Sequence, residues 1–473
     1  MSEKFYITTT LPYINANPHI GFALEIVQAD VVARFHRQLE DEVFFNTGAD
    51  EHGAKIQQKA LELGMDVQEY CDRNVFLFIA LEEMLNLSFK SFTRTTYPNH
   101  IAATQEFWKR CEANGDIYKK NYKIKYCVGC ELEKTESDLV EGKCPLHPNM
   151  ELEIIEEENY FFRFSKYQEK LLEFYKNNPN FVVPEKKFKE IRNFVEMGLQ
   201  DFSISRLKSK MSWGVEVPGD TEHVMYVWFD ALVNYISAIG WPDNMDKFNQ
   251  WWPVVQLAGK DNLRQQSAMW QAMLFSAGIP NSKQIFINGF VNVGGQKMSK
   301  SLGNVVSPED MVKKFGKNAT RYLLLTLGDN FGEDMDFTWE RTIEKYNADL
   351  ANGLGNFTSR IIKLAENMNT SLVIELAKSE DEILKKLVDK MELSQALQYI
   401  WKIVREDDKY ISDTKPWELK KTNLEKFEEV MNKLAGDLSL IADLLIPFMP
   451  DTAEKIKEAL KTKQIGILFP RIK

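Results

Sequence analysis

The hydrophobic pattern changes period twice within the first fifty residues. Phe5–Thr9 is a short run of aromatic and β-branched residues, the composition of a buried strand. A loop with Pro12 and Pro18 follows, and Gly21–Leu39 then sets Ala23, Ile26, Ala29, Val32, Ala33 and His36 at helical spacing. Val43–Thr47 reads as a second strand, and helices are expected from there to about residue 115. This β-loop-α-β order predicts a parallel, doubly wound sheet.

From about residue 116 to 220 the pattern breaks into strand-like pieces, turns and frequent charges, which reads as an inserted module. The α/β alternation then resumes, with a helix near Ala231–Ile239, a strand at Val254–Ala258, a helix at Gln265–Ser276 and a strand at Gln284–Ile287. The sheet domain is therefore expected to comprise residues 1–115 and 221–289, split by the insertion, with 290–345 as a connecting region. From Tyr346 to the end, Leu350, Leu354, Phe357, Ile361 and Leu364 form one apolar stripe, and Leu384, Leu387, Met391 and Leu397 begin another. Residues 346–473 thus read as a helical bundle.

Composition narrows the class. With 473 residues, 44% of them hydrophobic, the chain is too long for one core and too apolar for disorder. No apolar run reaches the roughly 18–20 residues that span a bilayer, and the amino terminus lacks a secretory pattern. Five cysteines are too few for a disulfide scaffold, so a cytoplasmic location is expected. The net charge of −10 argues against a polyanion partner, but the helical tail is near neutral, with 20 Lys+Arg against 21 Asp+Glu from Tyr346 onward.

Three local patterns carry chemistry. In Pro18-His19-Ile20-Gly21-Phe22 the first loop meets its helix, where free N–H groups and the positive dipole end suit a phosphate. A tight turn with a capping residue would read the same way. In Gly294-Gly295-Gln296-Lys297-Met298-Ser299-Lys300-Ser301, two lysines beside a glycine pair form a cationic loop able to follow developing phosphate charge, or simply a solvated basic turn. Third, Cys127-x-x-Cys130 is followed after thirteen residues by Cys144-x-x-His147. Three thiolates and one imidazole form a closed tetrahedral site for structural zinc, and the paired knuckles favour this over a redox Cys-x-x-Cys. Cys71 and Cys111 read as buried, inert thiols.

The first two patterns together form the paired signature of the class I aminoacyl-tRNA synthetases, and the chain resembles the methionine-specific branch of that family over essentially its whole length. Thr10-Leu11-Pro12-Tyr13, Thr47–Gly53, Tyr226–Ala231, Gly259-Lys260-Asp261 and Lys415-Pro416-Trp417 carry the resemblance further. It implies a Rossmann-like doubly wound parallel sheet split by a zinc-binding insertion, a stem-contact region at 290–345 and an α-helical anticodon-binding domain. The implied activity is a methionine–tRNA ligase using ATP, methionine and both elongator and initiator methionine tRNA. Magnesium would arrive with ATP. Neither DNA nor a membrane would be a partner, and a monomer is expected.

The resemblance also implies roles. His19, Gly21, Gly259, Asp261, Lys297, Met298 and Lys300 would bind ATP, with His19, Lys297 and Lys300 catalytic. Asp50 would hold the methionine ammonium, and Leu11, Tyr13, Trp228, Ala231, Tyr235, Gln266 and Trp270 would surround the substrate, aromatic walls suiting a thioether. Asn356, Arg360 and Trp417 would read the anticodon, although Trp417 also reads as a packing plug. Four positions depart from the family pattern: Phe22 stands for a second histidine, Leu232 for a common proline, Asn262 for an apolar residue and Gln266 for a histidine. A synthetase for another apolar amino acid, a catalytically idle tRNA-binding paralogue and a general nucleotidyltransferase of related fold, which would have no use for the helical tail, are the rival readings.

Overall fold

A computed structural model describes residues 3–130, 132–134, 138–298, 303–366 and 381–473. Its centre is a six-stranded sheet of β1 (Lys4–Thr8), β2 (Glu42–Ala49), β3 (Ser91–Arg94), β4 (Val182–Val183), β5 (Val255–Gly259) and β6 (Gln284–Asn288). The strands run in the order β3-β2-β1-β5-β6-β4, every neighbouring pair parallel. The chain winds outward from β1 through β2 to β3 on one side; on the other, β6 follows β5 outward and the earlier strand β4 forms the edge. The crevice between the carboxyl ends of β1 and β5 is where such a sheet receives ligands.

Period-2 alternation divides the core between two faces. Phe5 and Ile7 of β1 point into a core shared with Val27, Leu324, Leu438 and Leu445, so the helical tail packs toward the same face as the sheet's first helix. Tyr6 points the other way, into a core with Phe107, Trp108, Phe229 and Trp270. Helix α1 (Ile20–Gln38) is buried on nearly all sides, because it lies between the sheet and the helices that follow it in space. Its buried Asp30 is paired with the fully buried Arg321 at 2.8 Å. Arg321 also donates to the carbonyls of Leu85, Pro447 and Phe448, so its donors are satisfied where sheet domain and tail meet.

Three features differ from the pattern reading. Ser91–Arg94 lies in a stretch read as helical but forms an edge strand on β2, because pairing with Asn46–Ala49 overrides local preference. The segment read as one helix near Ala231–Ile239 is two short ones, Val227–Ala231 and Asn234–Ser237. The inserted module also contributes β4 to the central sheet. Its other strands include a long antiparallel ribbon, Ile117–Cys127 against Glu153–Phe162. In the tail, the helical turns Tyr346–Gly355 and helices Asn356–Ala365, Glu382–Asp389, Leu393–Thr414, Leu424–Leu445 and Pro450–Thr462 form the bundle, and the predicted stripes are buried in it apart from the half-buried Leu364 and Leu387.

Candidate active site and metal cluster

The loops leaving β1, β2, β5 and β6 surround a cavity of about 500 Å³. His19 caps α1, its Nδ1 accepting from the Gly21 N–H at 3.0 Å. That bond places the neutral ring's remaining proton on Nε2. Desolvation by the surrounding walls, opposed by Asp261 and assisted by Lys297, lowers the His19 pKa below the ordinary histidine value. The first turn of α1 carries no acidic residue. The site is thus a helix N-terminus whose positive dipole end lies beside a neutral imidazole with its Nε2–H to donate, an arrangement suited to an anion.

The cationic loop reaches the same place. Val291–Val293 and Gln296–Lys297 pair as a hairpin across Gly294 and Gly295, both with positive φ (60° and 77°). Only glycine adopts that pair without strain, and the tight turn aims Lys297 back over the cavity. Met298 Cε lies 3.6 Å from the point a Cβ on Gly21 would occupy. Ser299, Lys300, Ser301 and Leu302 lie outside the described residues.

Asp50 follows β2 directly and is buried. The loop it begins is pinned at each step. Asp50 N–H donates to the Pro12 carbonyl at 3.0 Å, and Glu51 receives both Nε and Nη2 of Arg94, at 2.6 and 3.0 Å. His52 Nδ1 meets Asp230 at 2.6 Å, while His100 Nε2 meets the other Asp230 oxygen at 2.8 Å. Burial pushes the Asp230 carboxyl up, but the attraction of His52 and the hydrogen bonds of both histidines outweigh it and hold the pKa at about 2. This buried triad joins the Asp50 loop to the helix that carries Trp228 and Ala231.

Among the residues implied by resemblance, Leu11, Tyr13, His19, Gly21, Asp50, Trp228, Gly259, Asp261, Lys297 and Met298 line the cavity. Ala231, Tyr235, Gln266 and Trp270 are buried in the protein body rather than lining that cavity. Trp270 stacks on Phe107 at 5.4 Å. Gln266 donates to the Tyr235 hydroxyl at 2.7 Å and accepts from Gln256 at 3.0 Å, so its amide is held in a partnered network. Phe22 packs edge-on against Phe78. The pattern reading missed Glu25, Lys55 and Asn288, all of which line the cavity. Both amide atoms of buried Asn288 lack a hydrogen-bond partner, which marks a donor and an acceptor waiting for a polar ligand. A buried polar residue at the carboxyl end of a predicted strand was the available signal.

Cys127, Cys130, Cys144 and His147 form one cluster, their ligand atoms all within 4.8 Å of one another. Cys130 Sγ is 3.4 Å from Cys144 Sγ and 3.2 Å from His147 Nδ1, and Cys127 Sγ is 3.7 Å from that nitrogen. A tetrahedron with metal–sulfur bonds of about 2.3 Å and metal–nitrogen bonds of about 2.0–2.1 Å has edges of about 3.5–3.8 Å. The donor set fits a metal ion. Cys71 and Cys111 lie elsewhere and are fully buried, and burial pushes the Cys111 thiol up to about 12.

In the tail, Asn356 is exposed and Arg360 is ion-paired with Asp408 on helix Leu393–Thr414, which leads into Pro416–Thr422. Trp417, on that last helix, is 43% exposed, which excludes the packing-plug reading.

Sheet order, anion-binding helix end and cationic hairpin together define a nucleotide-binding α/β protein with a helical appendage. A family model described as tRNA synthetases class I (M) matches residues 5–152 and 148–362, and one described as the anticodon binding domain of methionyl tRNA ligase matches 363–469. The methionine–tRNA ligase of Thermotoga maritima is 41% identical over 96% of this chain and 74% of its own length, and that of a Nostoc species is 41% identical over 97% and 90%. The solved Mycobacterium tuberculosis methionyl-tRNA synthetase in complex with methionyl-adenylate superposes with a TM-score of 0.89, at 35% identity, covering 100% of this chain and 99% of that one. The chain belongs to the methionyl branch of the class I tRNA synthetases.

Proposed function

We propose that the chain is an ATP-dependent methionine–tRNA ligase. Methionine's carboxylate attacks the α-phosphorus of ATP and expels pyrophosphate. The terminal ribose hydroxyl of methionine tRNA, elongator or initiator, then attacks the adenylate's carbonyl and releases AMP. The observation that carries this reading is the convergence of Asp50, His19 and Lys297 on one cavity. Asp50 offers a fixed carboxylate to the ammonium, His19 Nε2 and the positive end of α1 attract phosphate oxygens, and Lys297 faces the departing pyrophosphate, a task the resemblance also gives to Lys300. Asn288 offers its amide to the nucleotide, alongside Gly259 and Asp261. Positioning and charge stabilisation account for the chemistry without a covalent enzyme intermediate.

Leu11, Tyr13 and Trp228 supply apolar surface to the thioether, with Ala231, Tyr235, Gln266 and Trp270 behind them, and the exposed face of Trp417 with Asn356 and Arg360 reads splayed anticodon bases. Zinc is the metal suited to three thiolates and an imidazole, where it holds the knuckle's fold. Magnesium would neutralise phosphate charge and enter with ATP. No described helix is long and apolar enough to cross a membrane. The proposal places the protein in the cytoplasm, acting as a monomer. Pyrophosphate exchange measured with each of the twenty amino acids tests the proposal. Exchange should depend on methionine, and exchange driven by another amino acid, or by none, would refute it.

A further inference from the structure

The metal cluster sits at the far end of a lever. The ribbon that carries it pairs from Ile117–Phe162 out to Tyr126–Glu153; the two-residue strand Phe202–Ser203 joins it only at the base, on Phe161 and Phe162, and the short strand Leu132–Lys134, part of the tip itself, joins it only at Lys125–Cys127. A ribbon that is two-stranded over most of its length is a weak support for its own tip. Yet Cys130, Leu146 and His147 line the same cavity as Asp50 and His19. Something must hold the tip against the sheet domain.

Lys55 is placed to do so. Its Nζ donates to the carbonyl of Gly129 at 2.8 Å, inside the turn between Cys127 and Cys130. That turn is packed hard on another ligand, since a Cβ on Gly129 would lie 2.5 Å from the His147 ring. Drawing on Gly129 therefore fixes both halves of the cluster. The other end of the tie is rigid. Lys55 stands in the first turn of helix Ala54–Glu62, two residues past Gly53, the end of the pinned Asp50 loop. Its ammonium also lies 5.9 Å from the centre of the Tyr13 ring, across the cavity's amino-acid end. A second tie, Arg264 Nη1 to Asp138 at 3.4 Å, lies outside the cavity.

We propose that Lys55 is a positioning residue that docks the metal knuckle onto the Asp50 loop, so that the knuckle forms a wall of the amino-acid activation site. The proposal rests on the reading of the cavity as that site. Lysine suits the task because a strong donor on a flexible stem reaches a backbone carbonyl that no side-chain substitution on the knuckle can remove.

The test uses full-length zinc-loaded protein with Lys55→Met and Lys55→Arg. Two readouts are followed: transfer of zinc to a chromophoric chelator without substrates, and methionine-dependent pyrophosphate exchange. Losing one charge-assisted hydrogen bond should speed zinc release and raise the KM for methionine by about tenfold each, with kcat little changed. Lys55→Met should still bind one zinc per chain, and Lys55→Arg should restore both values. Arg264→Ala, which leaves the cavity walls intact, should speed zinc release to a smaller extent and serves as the latch test if Lys55→Met does not fold. Wild-type zinc release in a folded Lys55→Met protein overturns the proposal. So does a raised KM for ATP with unchanged zinc release, which would mean that Lys55 meets the substrate directly. If the wild-type protein shows no methionine-dependent exchange, the function reading fails, while the zinc-release comparison still decides the latch.

Discussion

Replacing Asp230 by asparagine removes one charge from the centre of the His52–Asp230–His100 triad and leaves the side-chain shape intact. The carboxyl's pKa falls from an ordinary 3.8 to about 2 in the folded protein. At about 1.4 kcal/mol per tenfold change in acidity, that drop is worth about 2.5 kcal/mol of folding free energy at neutral pH. The sign follows from which state holds the proton. Because the folded pKa is depressed, the unfolded chain binds the proton first as pH falls. The stabilisation is therefore complete above about pH 4, and it falls to about half by pH 3. Asparagine forfeits it at every pH and turns an N–H toward one of the histidine nitrogens. Urea denaturation of the sheet domain, followed by tryptophan fluorescence, should show wild type more stable than Asp230→Asn by about 2–3 kcal/mol at pH 7, a gap that narrows toward pH 3. The KM for methionine should rise, because the Asp50 loop and the Trp228 helix lose their common anchor. A gap of the same size at pH 7 and pH 3 would show that the carboxylate charge is not its source, and an unchanged stability at pH 7 would refute the triad's role outright.

Other outcomes follow from the same geometry. Trp417→Ala should forfeit about 1–3 kcal/mol of base stacking, lowering tRNA charging roughly tenfold while methionine-dependent pyrophosphate exchange stays near wild type; normal charging by the folded variant would remove the tryptophan from tRNA recognition. Cys144→Ser should bring the zinc content, measured by metal analysis, well below one per chain and raise the KM for methionine through loss of the knuckle wall, with the α1 phosphate site retained. Burial pushes the Glu25 carboxyl up to about 7, partly offset by the Thr10 hydroxyl and N–H and reinforced by Asp261. The folded state then holds a proton that the unfolded chain releases, so stability declines from about pH 4.5 to pH 7, and Glu25→Gln should flatten that decline and gain up to about 3 kcal/mol at pH 8 by urea titration. An unaltered pH profile in that variant would place the titrating group elsewhere. Under the role proposed for Lys300, which rests on the resemblance rather than on geometry, Lys300→Ala should cut the rate of adenylate formation far more than it weakens methionine binding, measured by single-turnover kinetics and equilibrium titration, as expected of a group that acts on charge growing in the transition state; equal losses in both would remove it from that role.

The sequence by itself determined what depends on neighbours within a turn or two. Strand and helix periods placed β1, α1, β2, β5 and β6, the paired glycines marked the lysine loop, and two Cys/His knuckles announced a metal site. Each is a local match between side-chain spacing and backbone geometry, so it survives without the rest of the fold. The tertiary structure alone decided the matters that join distant segments. Ser91–Arg94 is a strand only because β2 offers it an edge. Asp230 becomes the centre of a triad only when its helix meets His52, 178 residues away in sequence, and His100, 130 away. Trp417 and Trp270 look alike as tryptophans in helical surroundings, yet one is 43% exposed and the other wholly buried. The physical reason is common to these cases. Burial and buried electrostatics depend on which surfaces the chain brings together, and that is settled by the summed packing of the whole molecule rather than by any residue's own preference.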